Sequence, residues 1–198
     1  MLIKKTSLTK VIKNILIEKK EPISLVHFVT NRCNARCSFC FIDFDDPKTF
    51  QHELTIQEID SLTKNLGNSL LNVNLTGGEP FARKDLTEIA KKYLQNTTIQ
   101  SIYVTTNASL PERIKNFAKE ISEYDKEVEL TFQISIDDMP EKHNKVRKLK
   151  NLFHYYKIKK NFMSISVLNE GYQIIPFCRI KVISTYLKGL LLKIILKI

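Results

Sequence analysis

The feature of this sequence that most constrains its fold is an alternation of strand-like and helix-like segments between residues 23 and 136. Short runs rich in apolar and β-branched residues are separated by longer runs whose apolar residues recur every three or four positions. In chain order, these strands and helices are predicted at 23–29, 55–67, 70–75, 85–94, 99–105, 109–121 and 128–136. A helix is the usual crossover between two parallel strands, which a tight turn cannot connect. The alternation therefore predicts an α/β fold built on a parallel sheet.

Each of the predicted helices has a start signal of its own. Thr55 and Glu58 have the spacing of a capping box, in which each side chain bonds the backbone N–H of the other residue. Asp85 is a residue type favoured at the N-cap of the second helix. Pro111 suits the first turn of the third helix, where its missing N–H is not needed.

The alternation also divides the chain into three predicted segments. Residues 1–22 are expected to form an N-terminal amphipathic helix packed on the domain, because apolar residues such as Val11 and Ile15 share one face. Residues 23–147 are expected to form the core domain. Residues 148–198 are interpreted as a degenerate or truncated remainder of that domain, because the alternation weakens there.

The remainder still contains three apolar runs. Two strands are predicted in it, over 162–168 and 176–184, followed by a terminal helix over 187–198. That last run is too short and too often interrupted by lysine to cross a bilayer. No membrane span is therefore expected.

The net charge of +10 is distributed unevenly along the chain. Residues 1–22 carry +4 and residues 140–198 carry +11, whereas residues 23–139 carry −5. The basic residues at the two ends suit solvated helix faces. Because the acidic middle segment contains the motifs described next, nucleic-acid binding is not expected.

Three of the four cysteines, Cys33, Cys37 and Cys40, lie within eight residues directly after the first predicted strand. Such crowding suits metal thiolates better than disulfides, and metal thiolates suit a reducing compartment, so a cytoplasmic location is expected. Three thiolates can bind three irons of a four-iron cluster and leave the fourth iron open. The fourth cysteine, Cys178, is expected to be a small buried hydrophobic residue.

The cysteine spacing alone leaves two other interpretations open. One is a zinc site, which would take its fourth ligand from His27, Asp43 or His52. The other is that the three thiols are buried incidentally.

Other distinctive residues also stand where predicted strands end. The second strand leads into Gly77-Gly78-Glu79-Pro80, the third into Thr106-Asn107, and the fourth contains Ser135. Ligands of parallel α/β folds bind at the carboxyl ends of the strands, which lie at one edge of the sheet. These residues and the cysteines are therefore predicted to form a single site.

With these motifs the chain resembles the radical S-adenosylmethionine (SAM) superfamily over about residues 23–147. The resemblance depends on the C-x3-C-x2-C loop, with Phe39 before its last cysteine, and on Gly-Gly-Glu-Pro at the next strand end. The later strand ends and the run Glu141-x-His143-x3-Arg147 look like the branch of peptide-modifying maturases and molybdenum-cofactor-type enzymes. The resemblance implies a partial (β/α)6 TIM-like barrel with parallel strands.

The resemblance also implies a chemistry. Cys33, Cys37 and Cys40 would hold a [4Fe–4S] cluster, and SAM would bind the open iron. Reductive cleavage of SAM would give a 5′-deoxyadenosyl radical that abstracts hydrogen from an unidentified substrate, either a peptide or a small molecule. An electron donor such as flavodoxin or ferredoxin is the implied partner.

The residues that would contact SAM follow from the same resemblance. They lie in the cysteine loop and at the predicted strand ends: Phe39, Gly77, Gly78, Glu79, Pro80, Thr106, Asn107 and Ser135. Phe39 would present its backbone to the adenine, and the glycines would let backbone groups approach the ligand closely. Glu79 and nearby carbonyls would accept hydrogen bonds from the ammonium group. A plain turn cap is the alternative role for the Ser and Thr residues.

The sequence departs from the family pattern in several places. Ala108 and Asp138 stand where glycine is common, and further cysteines for auxiliary clusters are not found. The alternation fades after four strand–helix units, whereas a family core has six. The alternative function is therefore an inactive, truncated relative that binds a cluster or a partner without turnover. His143 and Arg147 are expected to close a helix N-terminus, and Asp137 to serve as a structural cap.

Overall fold

The protein is represented by a computed structural model that describes residues 8–137, 140–149 and 178–184, the last segment as backbone only. Its helices and strands are, in chain order, α1 (Leu8–Lys13), β1 (Ser24–Thr30), α2 (Ile56–Lys64), β2 (Asn72–Gly77), α3 (Leu86–Asn96), β3 (Ser101–Thr106), α4 (Pro111–Tyr124), β4 (Glu129–Ile136), α5 (Pro140–Arg147) and β5 (Cys178–Ser184). The five strands form one parallel sheet, and their order across the sheet is their order along the chain. This is the α/β architecture of a partial TIM-like barrel, as predicted.

The main hydrophobic core lies between the sheet and the helices. Alternate residues of β2, β3 and β4 are buried in it, and we call them the packed face: Val73, Leu75, Ile102, Val104, Leu130 and Phe132. Helices α2, α3 and α4 complete the core with side chains that include Ile59, Tyr93 and Phe117. Because side chains alternate along a strand, the residues between these positions lie on the opposite face of the sheet.

The opposite face, which we call the open face, is polar. Thr131 on this face is buried, whereas other residues of the same three strands are half-buried, among them Asn74, Tyr103, Thr105, Gln133 and Ser135. The sequence alternation therefore separates an apolar side that stabilises the fold from a polar side that can meet water or a ligand.

All three predicted helix starts lie where the structure has them, although the one at Asp85 lacks the side-chain cap. The capping box is confirmed: Thr55 N–H donates to Glu58 Oε2 at 2.7 Å, and Glu58 N–H donates to Thr55 Oγ1 at 3.3 Å. Pro111 is the first residue of α4. Asp85 lies at the N-cap of α3 but makes no side-chain cap, because its carboxylate is bound by the Arg83 guanidinium at 2.8 Å.

The N-terminal segment differs from the expected helix in its packing. Helix α1 passes into a π-helical turn, Asn14–Glu18, and this wider turn changes the side to which later residues point. Val11 and Asn14 are buried, whereas Ile15 is exposed. The Asn14 amide donates to the Glu21 carbonyl at 2.7 Å, and Asn14 Oδ1 accepts from the Glu21 N–H at 3.0 Å. An asparagine side chain therefore takes the inward position that an apolar stripe was expected to fill.

The second half of the predicted barrel is described only in part. The strand predicted over 176–184 is confirmed as β5, which lies next to β4. The strand predicted over 162–168 and the helix over 187–198 lie outside the described residues. Among the helices that the structure describes, none is long and apolar enough to span a bilayer.

Candidate functional site

The three cysteines lie in the loop after β1, which we call the cysteine loop (residues 31–40). All three are half-buried free thiols. The Arg36 guanidinium folds back onto this loop and donates to the Cys33 carbonyl at 2.7 Å. A backbone bond from Cys40 N–H to the Cys37 carbonyl, at 3.2 Å, tightens the second half of the loop. The loop therefore has a defined conformation of its own.

The turn after β2 holds the start of the cysteine loop. Gly78 N–H donates to the Thr30 carbonyl at 2.7 Å, and Glu79 N–H donates to the Arg32 carbonyl at 2.8 Å. A Cβ on Gly77 would overlap the Thr30 oxygen, and one on Gly78 would overlap the Arg32 oxygen. These glycines therefore allow a close approach between two segments of this chain. Their close approach to a ligand stays a prediction.

Glu79 is fully buried and connects the same turn to the end of β3. Its Oε1 accepts from Thr106 Oγ1 at 2.7 Å and from Phe81 N–H at 3.2 Å, and its Oε2 accepts from Asn107 N–H at 2.7 Å. Loss of hydration on burial raises the pKa of this carboxyl, although the hydrogen bonds oppose the shift. These bonds occupy both carboxylate oxygens, so a contact of the Glu79 side chain with an ammonium group stays a prediction.

Asn107 connects the end of β3 to the cysteine loop. Its amide nitrogen donates to Asn34 Oδ1 at 3.0 Å and lies 3.9 Å from Cys33 Sγ. The Ala35 N–H also donates to Cys33 Sγ, at 3.3 Å. Asn107 Oδ1 accepts from the Ser109 N–H at 2.9 Å, so Asn107 caps its turn as well as contacting the loop. Hydrogen bonds to cysteine sulfur are one of the ways in which a protein tunes a metal site.

Helix α5 holds the middle of the cysteine loop. The carbonyl of Val146 accepts from Ser38 N–H at 3.2 Å, and the carbonyl of Arg147 accepts from Arg36 N–H at 3.1 Å. Carbonyls in the last turn of a helix have no partner within the helix, so they are available to another segment. The two residues that flank Cys37 are therefore bonded to the C-terminus of α5.

Asp137, His143 and Arg147 form a buried cluster at the end of β4. Two guanidinium nitrogens of Arg147 bind the two oxygens of Asp137, at 2.5 and 2.9 Å. His143 Nδ1 accepts from Asp137 N–H at 3.1 Å. The expectation that His143 and Arg147 close a helix N-terminus is wrong, because Arg147 is the last residue of α5 and the pairing joins α5 to β4.

Two thiols of the cysteine loop, Cys33 and Cys37, have a raised pKa. Burial raises the pKa of Cys33, and the nearby Glu79 carboxylate adds to the increase. Burial also raises the pKa of Cys37, although the Arg147 guanidinium opposes that shift. A metal that binds these sulfurs must therefore displace protons at neutral pH.

The described residues contain no ready-made site for one zinc ion. Within the described residues, no three Cys, His, Asp or Glu side chains are placed to hold one metal ion. His27, a candidate zinc ligand, is instead bonded through Nδ1 to Tyr93 Oη at 3.0 Å. Cysteines of a four-iron cluster bind different irons and need not converge on one point. The three thiols on one braced loop fit such a cluster.

The other predicted site residues lie around the same edge of the sheet. Phe39 is 59% exposed, so it is not a core aromatic residue. Pro80 is buried and begins a 3₁₀ turn, Pro80–Ala82. Thr106 is buried. Its Oγ1 donates to Glu79 Oε1 at 2.7 Å and accepts a hydrogen bond from the Ala108 N–H at 3.0 Å. Ser135 is half-buried on the open face of β4. Their contacts with SAM stay predictions.

The open face also has a row of polar side chains that crosses three neighbouring strands, which the motifs do not predict. Thr105 Oγ1 on β3 lies 3.2 Å from Asn74 Oδ1 on β2 and 3.0 Å from Gln133 Oε1 on β4. The signal was present in the sequence, as polar residues alternating with the apolar residues of each strand.

Comparison with protein-family models gives a single description for most of this chain. The model of the radical SAM superfamily matches residues 28–161. Among curated proteins, the GTP 3′,8-cyclase of Pasteurella multocida (strain Pm70) is 29% identical over an alignment of 158 positions, which covers 72% of this chain and 45% of that protein. This chain therefore spans less than half the length of that relative.

Solved structures share the fold at low sequence identity. Streptococcus suis SuiB bound to precursor peptide SuiA superposes with a TM-score of 0.57 and 20% identity, over 88% of this chain and 36% of SuiB. Native anSMEcpe with bound AdoMet gives a TM-score of 0.54 and 20% identity, over 81% of this chain and 44% of that one. Both comparisons support the partial barrel.

Proposed function

Since this chain belongs to the radical SAM superfamily, we propose that it binds a [4Fe–4S] cluster through Cys33, Cys37 and Cys40 and cleaves SAM reductively. The observation that carries this proposal is the bracing of the cysteine loop from three directions: by the turn after β2, by Asn107 after β3 and by the last turn of α5. A loop held in this way can present three thiolates in a fixed arrangement without reorganisation when the metal binds.

When bound, the cluster would supply the electron that splits SAM into methionine and a 5′-deoxyadenosyl radical, which then takes hydrogen from the substrate. The chain's own contribution is to position the ligands. The backbone of Gly77 and Gly78 lies directly against the start of the cysteine loop, where it can offer carbonyl groups to the amino group of SAM. Phe39, with its exposed position in the loop, would present its backbone to the adenine, and Ser135 would approach from β4.

For the substrate we propose a polar molecule, either a peptide or a small molecule, bound on the open face. The amide and hydroxyl groups of Asn74, Thr105 and Gln133 support this assignment, since they offer hydrogen bonds where a closed barrel would carry branched apolar side chains. The solved structure of SuiB contains a precursor peptide, and the curated relative is named for GTP. We propose flavodoxin or ferredoxin as the electron donor and, because metal thiolates need a reducing compartment, a cytoplasmic location.

The proposal is tested by anaerobic reconstitution of the full chain with iron and sulfide. We expect about four irons per chain, an electron paramagnetic resonance signal on reduction, and release of 5′-deoxyadenosine from SAM. Cys37→Ala should lose the iron and the product. Cys178→Ala is the matched control and should keep both, since it removes a cysteine outside the loop. Uptake of zinc but no iron, or equal product from wild type and Cys37→Ala, would contradict the assignment.

A second candidate function is binding of a cluster or a partner protein without turnover. The observation that favours it is that the match spans 45% of the curated relative's length, so more than half of that relative has no counterpart in the match. A well-reconstituted chain that binds SAM but releases no 5′-deoxyadenosine would support this candidate. Product release at a rate that depends on Cys37 would exclude it.

A further inference from the structure

We propose that the ion pair between Asp137 and Arg147 is a positioning device for the cysteine loop. The pair fixes the last turn of α5, and the carbonyl oxygens of that turn hold the backbone on both sides of Cys37. This inference rests on the proposed function, because it concerns how the chain prepares the loop for a cluster. Asp137 and Arg147 act through the backbone of the loop, so neither is assigned a contact with SAM or with the reacting atoms.

The first step of the argument is the geometry of the pair. Both residues are buried, and two nitrogens of the Arg147 guanidinium bind the two oxygens of the Asp137 carboxylate, at 2.5 and 2.9 Å. Two parallel bonds between planar groups fix orientation as well as distance. Because Asp137 follows β4 directly, the pair ties the end of α5 to a strand of the sheet.

The second step is that α5 has a largely polar sequence. The helix has eight residues, with the sequence Pro-Glu-Lys-His-Asn-Lys-Val-Arg, and Val146 is its only aliphatic residue. Most helices in proteins are stabilised by an apolar face packed on the core, and a helix this short is marginal by itself. Among the described residues, polar contacts connect α5 to the end of β4: the Asp137–Arg147 pair and the bond from Asp137 N–H to His143 Nδ1.

The third step connects α5 to the cysteines. Arg36 N–H and Ser38 N–H donate to the carbonyls of Arg147 and Val146, so the residues before and after Cys37 are both bonded to the last turn of the helix. A displacement of that turn would release both bonds together. The effect of breaking the ion pair should therefore be concentrated at Cys37 and its neighbours.

The test measures the cysteine loop directly, first in the metal-free chain. In Arg147→Gln we expect hydrogen exchange at the Arg36 and Ser38 amides to become roughly tenfold faster or more, because their acceptors are no longer held. Exchange at Val104, in the middle of the sheet, should be unchanged. In the reconstituted chain, the same variant should retain less iron and sulfide, and its reduced cluster should give an altered electron paramagnetic resonance signal.

The control variants separate a positioning role from general destabilisation. Asp85→Asn removes one partner of the Arg83–Asp85 pair, another two-bond ion pair, whose arginine donates to Val29 and Leu54. It should leave exchange at Arg36 and Ser38 unchanged. Arg147→Lys keeps the positive charge but offers a single donor group, so it should restore part of the iron retention that Arg147→Gln loses.

The outcomes distinguish this inference from the proposed function. If Arg147→Gln leaves exchange at Arg36 and Ser38 and the iron content as in wild type, the positioning role is wrong. It is also wrong if exchange rises equally at Val104, or if Asp85→Asn has the same effect on the loop. If wild type binds no iron, the proposed function fails, and the exchange measurements in the metal-free chain still decide whether the pair holds the loop.

Discussion

Strands β2, β3 and β4 have two faces of opposite character. On the packed face, Leu75 and Ile102 are completely buried among aliphatic and aromatic side chains. On the open face, Asn74, Thr105 and Gln133 are half-buried, and the Thr105 hydroxyl lies within hydrogen-bond distance of the side-chain oxygens of the other two. The difference shows that the two faces are separated in character: the packed face buries the apolar side chains that stabilise the fold, and the open face carries hydrogen-bonding groups.

The largest effect is expected from a cavity in the packed face. Ile102→Ala should lower the free energy of unfolding by about 2–5 kcal/mol, because Ile102 is completely buried and its neighbours can fill the space only in part. Urea denaturation followed by circular dichroism measures the loss. The matched change on the open face, Thr105→Val, keeps the side-chain shape and should cost less than about 1 kcal/mol. Equal losses for the two variants would contradict the comparison.

The next largest expected effect is a dependence of the unfolding free energy on pH, and it comes from His27 on β1. His27 is partly buried against Tyr93, and burial lowers its pKa from 6.5 to about 4. In the unfolded chain, His27 binds a proton below about pH 6.5, whereas in the folded chain it binds one only below about pH 4. The contribution of His27 to stability is therefore complete above pH 6.5 and is lost as the pH falls towards 4.

The variant His27→Gln isolates this contribution. Between pH 7 and pH 4, wild type should lose roughly 2–3 kcal/mol more unfolding free energy than the variant does. Chemical denaturation at several pH values gives the two curves, and the difference between them removes the carboxylates common to both chains. Parallel curves would show that His27 is as accessible to protons in the folded chain as in the unfolded one.

The smallest effects come from a matched pair on a single strand. Val29 is 1% exposed and Val26 is 55% exposed, and they lie on opposite faces of β1. Val29→Thr buries a hydroxyl group and should cost about 1–3 kcal/mol. Val26→Thr should change the unfolding free energy by less than about 0.5 kcal/mol. Thermal or urea unfolding of the two variants side by side tests whether the two faces differ at this edge of the sheet.

Much of the fold could be predicted because its determinants are local. The capping box at Thr55 and the proline at 111 depend on residues within one helical turn, and the strand alternation depends on a period of two. The N-terminal segment could not be predicted in the same way. There, the Asn14 side chain bonds the backbone of Glu21, seven residues away, and a π-helical turn replaces the expected continuous helix.

The site could be predicted as a set of strand ends, but its internal bonds could not. Glu79 was expected to face a ligand because its motif does so in the family, whereas its burial depends on Thr106 and Asn107 approaching from the next strand. Asp137 and Arg147 pair because the last residue of α5 reaches the residue that follows β4. Contacts of this kind depend on how elements pack, which no local pattern specifies.

The order of the strands in the sheet has a consequence for how the protein is made. Each strand adds beside the one synthesised just before it, so the sheet can grow as the chain leaves the ribosome. The cysteine loop is synthesised early, but the groups that hold it come from residues 78–79, 107 and 146–147. At translation rates of about 5–20 residues per second, the thiols wait roughly 5–20 seconds for α5. The loop is therefore fully braced only late in synthesis, and until then its three thiols are not held in their final arrangement.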